Sequence, residues 1–266
     1  DQINSLPVAE LADIIELQAG VTKDAGGGFH IRGGRTTEIA YWVNGVSITD
    51  SYDNSQGIKI DNSSVQELQV ISGTFNAEYG NAMSGIINTV TKEGGTKYKG
   101  SLNLYSSDHL SDFTSYFPHI DKFSPFASYN FQGSLSGPFP LTQNRLTFFV
   151  NARYNYDDGW LYGERRYTIT GADWNGKIVP MNWHKNDMGQ ANLGLQILQN
   201  LKLNGELPYS KEDYQDYDHS FRWEPDGNVF KFSNSYNGTF TINHMLSSAT
   251  FYTLKASYFF HDFNEY

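Results

Sequence analysis

The 266-residue chain has no cysteine, which excludes disulfide scaffolds, Cys-ligated zinc and thiol nucleophiles together. Nor does it have an apolar run of the roughly 18 to 20 residues that a membrane-crossing helix needs, so helical integral-membrane architectures are excluded as well. Basic residues are few. With 19 Lys and Arg against 29 Asp and Glu, the net charge is -10, and general affinity for nucleic acid, which runs on a cationic excess, is not expected. What the chain does have is 18 Tyr, 18 Phe and 25 Gly, a composition that suits short alternating strands better than helices.

Two textures succeed one another. In VAELADIIEL (residues 8–17), Leu11, Ile14, Ile15 and Leu17 recur at spacings near three and four and predict a short amphipathic helix, stopped by Gly20. Short β-like runs closed by Gly, Asn or Asp follow, and SSVQEL offers a capping Ser ahead of a one-turn helix. Residues 1–95 therefore read as a small α+β domain. After Gly95 the period changes to two, in about seven segments: Tyr98 to Leu104, Tyr129 to Leu135, Phe148 to Tyr156, Ala191 to Ile197, Leu201 to Leu207, Tyr236 to Ile242 and Tyr252 to Tyr258. Phe149 is an apolar intruder on the polar side of its segment.

Alternation of this kind arises in a sandwich, whose apolar face meets another sheet, and in an outer-membrane barrel, whose apolar face meets lipid. The connections favour the barrel. Long links (about Ser106 to Phe126, Asp157 to Met188 and Pro208 to Asn234) alternate with short ones (GPFPLTQNR, Gln199-Asn200 and HMLSSA), as external loops alternate with periplasmic turns. Tyr98, Tyr129, Tyr156 and Tyr258 are expected near strand ends, in an aromatic girdle.

Motifs in the first domain carry a specific resemblance. Arg32-Gly33, Val43-Asn44-Gly45-Val46, Leu68-Gln69-Val70, Glu78-Tyr79-Gly80, and Gly85-Ile86-Ile87-Asn88 with Thr91-Lys92 stand in the order and spacing of the plug of TonB-dependent outer-membrane transporters. The chain resembles that family, and looks closest to its Bacteroidetes-like branch. The resemblance implies a plug domain at 1–95 and, at 96–266, the N-terminal part of an antiparallel transmembrane β-barrel. It implies residence in the bacterial outer membrane, with the lipid bilayer, TonB and TonB's inner-membrane energising complex as partners, and it leaves a surface lipoprotein open as a further one. Barrels of this family have about 22 strands. Seven strands with bare edges cannot sit in lipid, so the chain is expected to be part of a longer polypeptide. Residues 1–31 contain no stretch that reads as an energiser-binding box.

Enzyme constellations are missing: neither H-E-x-x-H, nor G-x-S-x-G, nor a phosphate-binding G-x-x-x-x-G-K-[ST] occurs. The expectation is a non-enzyme without cofactor or metal, taking up a nutrient through a lumen gated by the plug; a structural or adhesive barrel without energised transport is the alternative. Arg32 and Glu78 are expected in the lumen, with Arg153 as mate for a plug carboxylate, and these three are the candidates for plug-barrel coupling. Trp160, Tyr162, Trp174, Trp183 and Trp223 fall in long external links, where aromatic faces stack on substrates or pack loops together. Tyr52 and Asp53, in SYDNSQ, are candidates at the substrate-facing tip of the plug. His30, Arg32 and Arg35 form a weaker anion candidate. Glu212, Asp213, Asp216, Asp218 and His219 read as an exposed acidic loop with spacing unlike a calcium loop.

Overall fold

The computed structural model describes residues 10–24, 27–73 and 82–266. The domain at the start of the chain is built on helix α1 (Leu11–Glu16), strands β1 (Val21–Lys23) and β2 (Phe29–Ile31), and a four-stranded mixed sheet. That sheet contains β3 (Ile39–Val43), β4 (Val46–Ser47), β5 (Val65–Ser72) and β6 (Gly85–Thr91) in the order β4-β3-β6-β5. Strand β3 runs parallel to β6, and β5 antiparallel to it. IAYWV is almost wholly buried, as expected of an apolar run in a sheet covered on both faces. One and a half turns of helix cannot stand alone. α1 is held by Leu11, Ile14 and Ile15, which enter one core with Phe29, Ile31, Ile39, Val43, Ile58 and Ile87.

The predicted one-turn helix at SSVQEL is corrected. VQEL opens β5, and the helical turn lies before it, at Asn62–Ser64, where the Asp61 carboxylate caps it by accepting from the Ser63 N–H. Two β-rich residues, Val65 and Val70, and pairing to β6 win over the local capping signal.

The remaining long strands form a single seven-stranded antiparallel meander in chain order. They are β7 (Lys99–Ser107), β8 (Ser128–Pro138), β9 (Leu146–Asp157), β12 (His184–Leu198), β13 (Leu201–Tyr214), β14 (Lys231–Ser247) and β15 (Thr250–Glu265); a small hairpin, β10 (Tyr162–Glu164) and β11 (Ile178–Pro180), stands within one long loop. Burial across this sheet is inverted relative to a water-soluble protein. Asn130, Asn151, Arg153, Gln190, Asn192, Asn204 and Asn237 are buried, whereas Leu102, Phe131, Leu135, Leu193, Leu207, Phe240 and Leu254 are exposed. A polar face packed on the plug and an apolar face turned outward are what a lipid-facing barrel wall requires. Phe149, the intruder, is 3% exposed on the inner face.

Two expectations about this sheet are corrected. Strands β12 to β15 run further than the alternation, so Pro208, Glu212 and Asp213 are strand residues and the third long loop shrinks to residues 215–230. Beyond the apolar band the outward face turns polar too, with Lys185 and Lys211 3.7 and 3.6 Å from Asp213, so the ladder continues where the period-two pattern has vanished. Tyr258 lies mid-strand opposite Gly238 rather than at a strand end. The other three tyrosines expected in the girdle do stand near strand ends: Tyr129 stacks on Tyr154 and Tyr156 (5.9 and 5.3 Å) at the long-loop end, and Tyr98 lies against Phe148 at the other.

Candidate functional site

The meander presents its inner face to the plug, and the contact is polar. At its centre Arg153, with its side chain 3% exposed, places its guanidinium 3.6 Å from Asp61 and 3.6 Å from Glu10, both on the plug, while its Nε donates to Asn130 Oδ1 at 2.6 Å. Asp61, with its side chain 2% exposed, also accepts from the barrel amides of Gln132 (2.9 Å) and Asn151 (3.1 Å). Carrying both charges out of water is tolerable only because each is paired and hydrogen-bonded from several sides. A second tie joins Asp50, in the plug loop after β4, to His261 on β15. Burial opposes ionisation of Asp50, but the His261 ring and the Tyr52 N–H outweigh it and hold the carboxyl below its ordinary range.

Above these ties, at the long-loop end, a cleft of about 740 Å³ separates plug from wall. Asp53, Ser55 and Lys59 line it from the plug, and His184, Glu212 and Lys231 from the barrel. Its charges are largely matched in place. Lys59 Nζ donates to Glu212 at 2.6 Å, His184 stands 3.6 Å from the same carboxylate and flat against Tyr214 at 5.3 Å, and Lys231 holds Asp216 at 2.7 Å. The arrangement presents hydrogen-bonding groups and an aromatic face, with the carboxylates of Glu10, Asp13, Asp53, Glu212 and Asp216 outnumbering the amines of Lys23, Lys59 and Lys231.

Of the residues named from sequence, Asp53 lines this cleft, and Tyr52, next to it, is 98% exposed. Arg32 is exposed beside these seven strands, with a φ of 50° and its guanidinium lying over Gly73. Glu78 lies outside the described residues. His30 does not join Arg32 and Arg35 in an anion site. Its ring bonds the Gly34 carbonyl at 2.8 Å and Asp24 at 3.1 Å, and those two contacts, the carbonyl first, raise its pKa. The acidic loop is also corrected: Glu212 and Asp213 point to opposite faces of β13, Asp218 caps a turn at Ser220, and His219 bonds Tyr217 at 2.7 Å.

The aromatic candidates hold the external loops to one another. The Trp223 ring lies under Arg166 (3.9 Å) and Arg222 (4.8 Å), Trp174 under Arg165 (5.2 Å), Trp183 against Phe230 (6.1 Å), and Trp160 edge-on to His109 (5.5 Å). Backbone bonds from Glu164 and Arg166 to Arg222 and Trp223, and a two-pronged Arg165–Asp226 pair at 2.7 Å, stitch the β10–β11 loop to loop 215–230. Tyr162 opens that hairpin, where burial and then nearby acids push its phenol up to about 12. Trp183 alone of these five lines the small cavity, about 370 Å³, between the loops. Sequence reasoning missed Lys59, Asp61 and His184 as interface residues. Glu212 was missed as well, because it lies beyond the stretch of β13 in which the period-two pattern is visible.

Comparison with known proteins agrees with this architecture. Residues 1–86 match the model of the TonB-dependent Receptor Plug Domain family. A curated relative, the TonB-dependent transporter Oar of Myxococcus xanthus, is 30% identical over 89 residues, which is 34% of this chain and 8% of the relative. Among solved structures, the siderophore receptor PirA from Acinetobacter baumannii superposes with a TM-score of 0.70 at 19% identity, covering 98% of this chain and 38% of that one. The outer membrane transporter YddB from Escherichia coli gives 0.68 at 15% identity, covering 96% and 38%. At such identities the structures speak for the fold. The chain spans well under half the length of each of these relatives.

Proposed function

We propose that this chain, a TonB-dependent receptor plug domain continued by the antiparallel strands of a partial barrel, belongs to an active-transport receptor of the bacterial outer membrane. The receptor holds a scarce nutrient in the lumen at its long-loop end and admits it when a TonB-type partner, driven from the inner membrane, displaces the plug. The observation that carries this reading is the Asp61–Arg153–Glu10 cluster below an open polar cleft. A purely structural plug would be cheaper to hold with apolar contacts, because replacing a buried ion pair by packed hydrophobic groups is often neutral or stabilising. Ion pairs and amides that water can take over make a contact that opens without exposing apolar surface.

In this reading Asp53 and Tyr52 face the incoming nutrient, and the loop tryptophans keep the external rim in shape. Arg153 couples wall to plug through Asp61, with Arg32 and Glu78 as further coupling candidates on the plug. No covalent step is required, and the matched relatives are transporters or receptors. The test is accumulation of candidate nutrients by cells carrying the full-length protein, with and without a functional energiser. Surface binding retained and uptake abolished without the energiser is the expected result. Equal uptake in both strains would refute energised transport and favour a structural or adhesive role.

A further inference from the structure

A second cavity lies at the opposite end of the plug, near the two-residue turns that join β12 to β13 and β14 to β15. It measures about 490 Å³ and is lined by Asn44, Asn88, Thr91, Asn204, Glu206 and Lys255, among others. The plug enters it through the β3–β4 turn, where Asn44 and Gly45 hold φ values of 50° and 74°; Asn and Gly are the residues that adopt such angles at least cost. Asn44 is bonded on every side. Its Nδ2 donates to Glu206 Oε2 of β13 at 2.6 Å and to Thr91 Oγ1 at 2.7 Å, its Oδ1 accepts from the Thr91 N–H at 2.8 Å, and its carbonyl accepts from Lys255 Nζ of β15. Thr91 Oγ1 in turn accepts from Asn192 of β12 at 3.1 Å. Asn44 thus fastens the end of β6 to two barrel strands, and Thr91, bonded to Asn44, fastens it to a third.

The two charged barrel groups here, Glu206 and Lys255, are both engaged by Asn44. Glu93 also lines it, with its charge taken up by an ion pair to Lys202 of β13, and the rest of the polar lining is neutral: Gln66, Asn88, Thr241, Asn243 and Thr253, together with Asn204, which is 8% exposed. The buried Oδ1 atoms of Asn204 and Asn88 have no hydrogen-bond partner among the described residues. Carboxamides and hydroxyls offer donors and acceptors together and no net charge, which suits a passenger bearing hydroxyl or amide groups and gives an anion nothing to pair with.

We propose that this cavity is the exit of the transport path for an uncharged, hydroxyl- or amide-bearing passenger, and that Asn44 is the pin that keeps it shut. The proposal rests on the transport reading and deepens it. Withdrawal of the β3–β4 turn removes a single side chain from the cavity and leaves the amide-lined wall open between plug and barrel.

Ion conductance of the full-length protein in planar bilayers tests the pin without any energiser, so its failure is distinct from failure of the transport reading. Asn44→Asp sets two carboxylates face to face and removes the donor to Glu206. Conductance is expected to rise about tenfold or more, as loss of a hydrogen bond to a charged group implies. The double variant N44D/E206Q restores a donor between the two positions and returns conductance to near the wild-type level. A closed N44D channel, or a double variant that leaks as much as N44D, overturns the pin. If N44D does not assemble, Lys255→Met is read in its place: raised conductance supports the pin and unchanged conductance overturns it. The passenger class is read from block of the opened path by maltohexaose against its sulfated form. Stronger block by the neutral sugar is expected, and stronger block by the polyanion overturns the assignment.

Discussion

Cutting the Asp61–Arg153 tie gives the sharpest test of how plug and wall are joined. In Asp61→Leu the Arg153 guanidinium, 3% exposed, keeps Asn130 at 2.6 Å and the half-exposed Glu10 at 3.6 Å but loses its buried counter-ion. Leaving one partner of a buried pair costs about 3 to 5 kcal/mol, and the surviving Glu10 contact places this site near 3. Arg153→Met strands Asp61 less severely, because Gln132, Asn151 and the Ser63 N–H still donate to it, and about 2 kcal/mol is expected. The double variant D61L/R153M replaces the pair by apolar groups and should lie within about 1 kcal/mol of the native protein. Coupling between the two sites is then about 4 kcal/mol, far outside the additivity of independent positions. The assay is amide hydrogen exchange of β5 and β6 in the full-length protein in detergent, converted to opening free energies. If the double variant is destabilised by the sum of the single effects, the pair is not what joins these surfaces and the reasoning fails.

Other outcomes follow from the same contacts. Because the Asp50 carboxyl titrates below its ordinary value of about 3.8, its hold on His261 is complete above that value and is lost as the pH falls through the lowered one; protease cleavage in the loop carrying Tyr52 should therefore appear only in acid, and His261→Ala should bring it on at neutral pH. A Cβ at Gly57 would stand 2.5 Å from the Phe259 ring and 2.9 Å from the Ile48 carbonyl, so Gly57→Ala should cost about 1 to 3 kcal/mol in plug opening, with Phe259→Leu recovering only the part due to the ring. Trp223→Ala removes the ring beneath Arg166 and Arg222 and should loosen the join between the two external loops by about 1 kcal/mol, seen as faster proteolysis in residues 165–177 with the barrel intact.

Sequence alone determined the architecture here, because the relevant signals are periodic and local. Period-two alternation in seven segments, separated by long and short links in turn, defines a meander whose apolar side needs a partner outside the chain, and the Gly-rich motifs from Arg32 to Lys92 mark the plug. The alternation faded above the lipid, where both faces of a strand are wet, so Glu212 and Asp213 looked like loop while pairing went on beneath them. Which residues meet was decided only by the tertiary structure. Asp61 and Arg153 are 92 positions apart, Asn44 and Glu206 162, and Asp50 and His261 211. No local pattern encodes such pairs, since each depends on how the plug is turned inside the wall. The loop tryptophans make the same point, for an exposed indole looks alike in sequence whether a ligand or a neighbouring arginine will cover it.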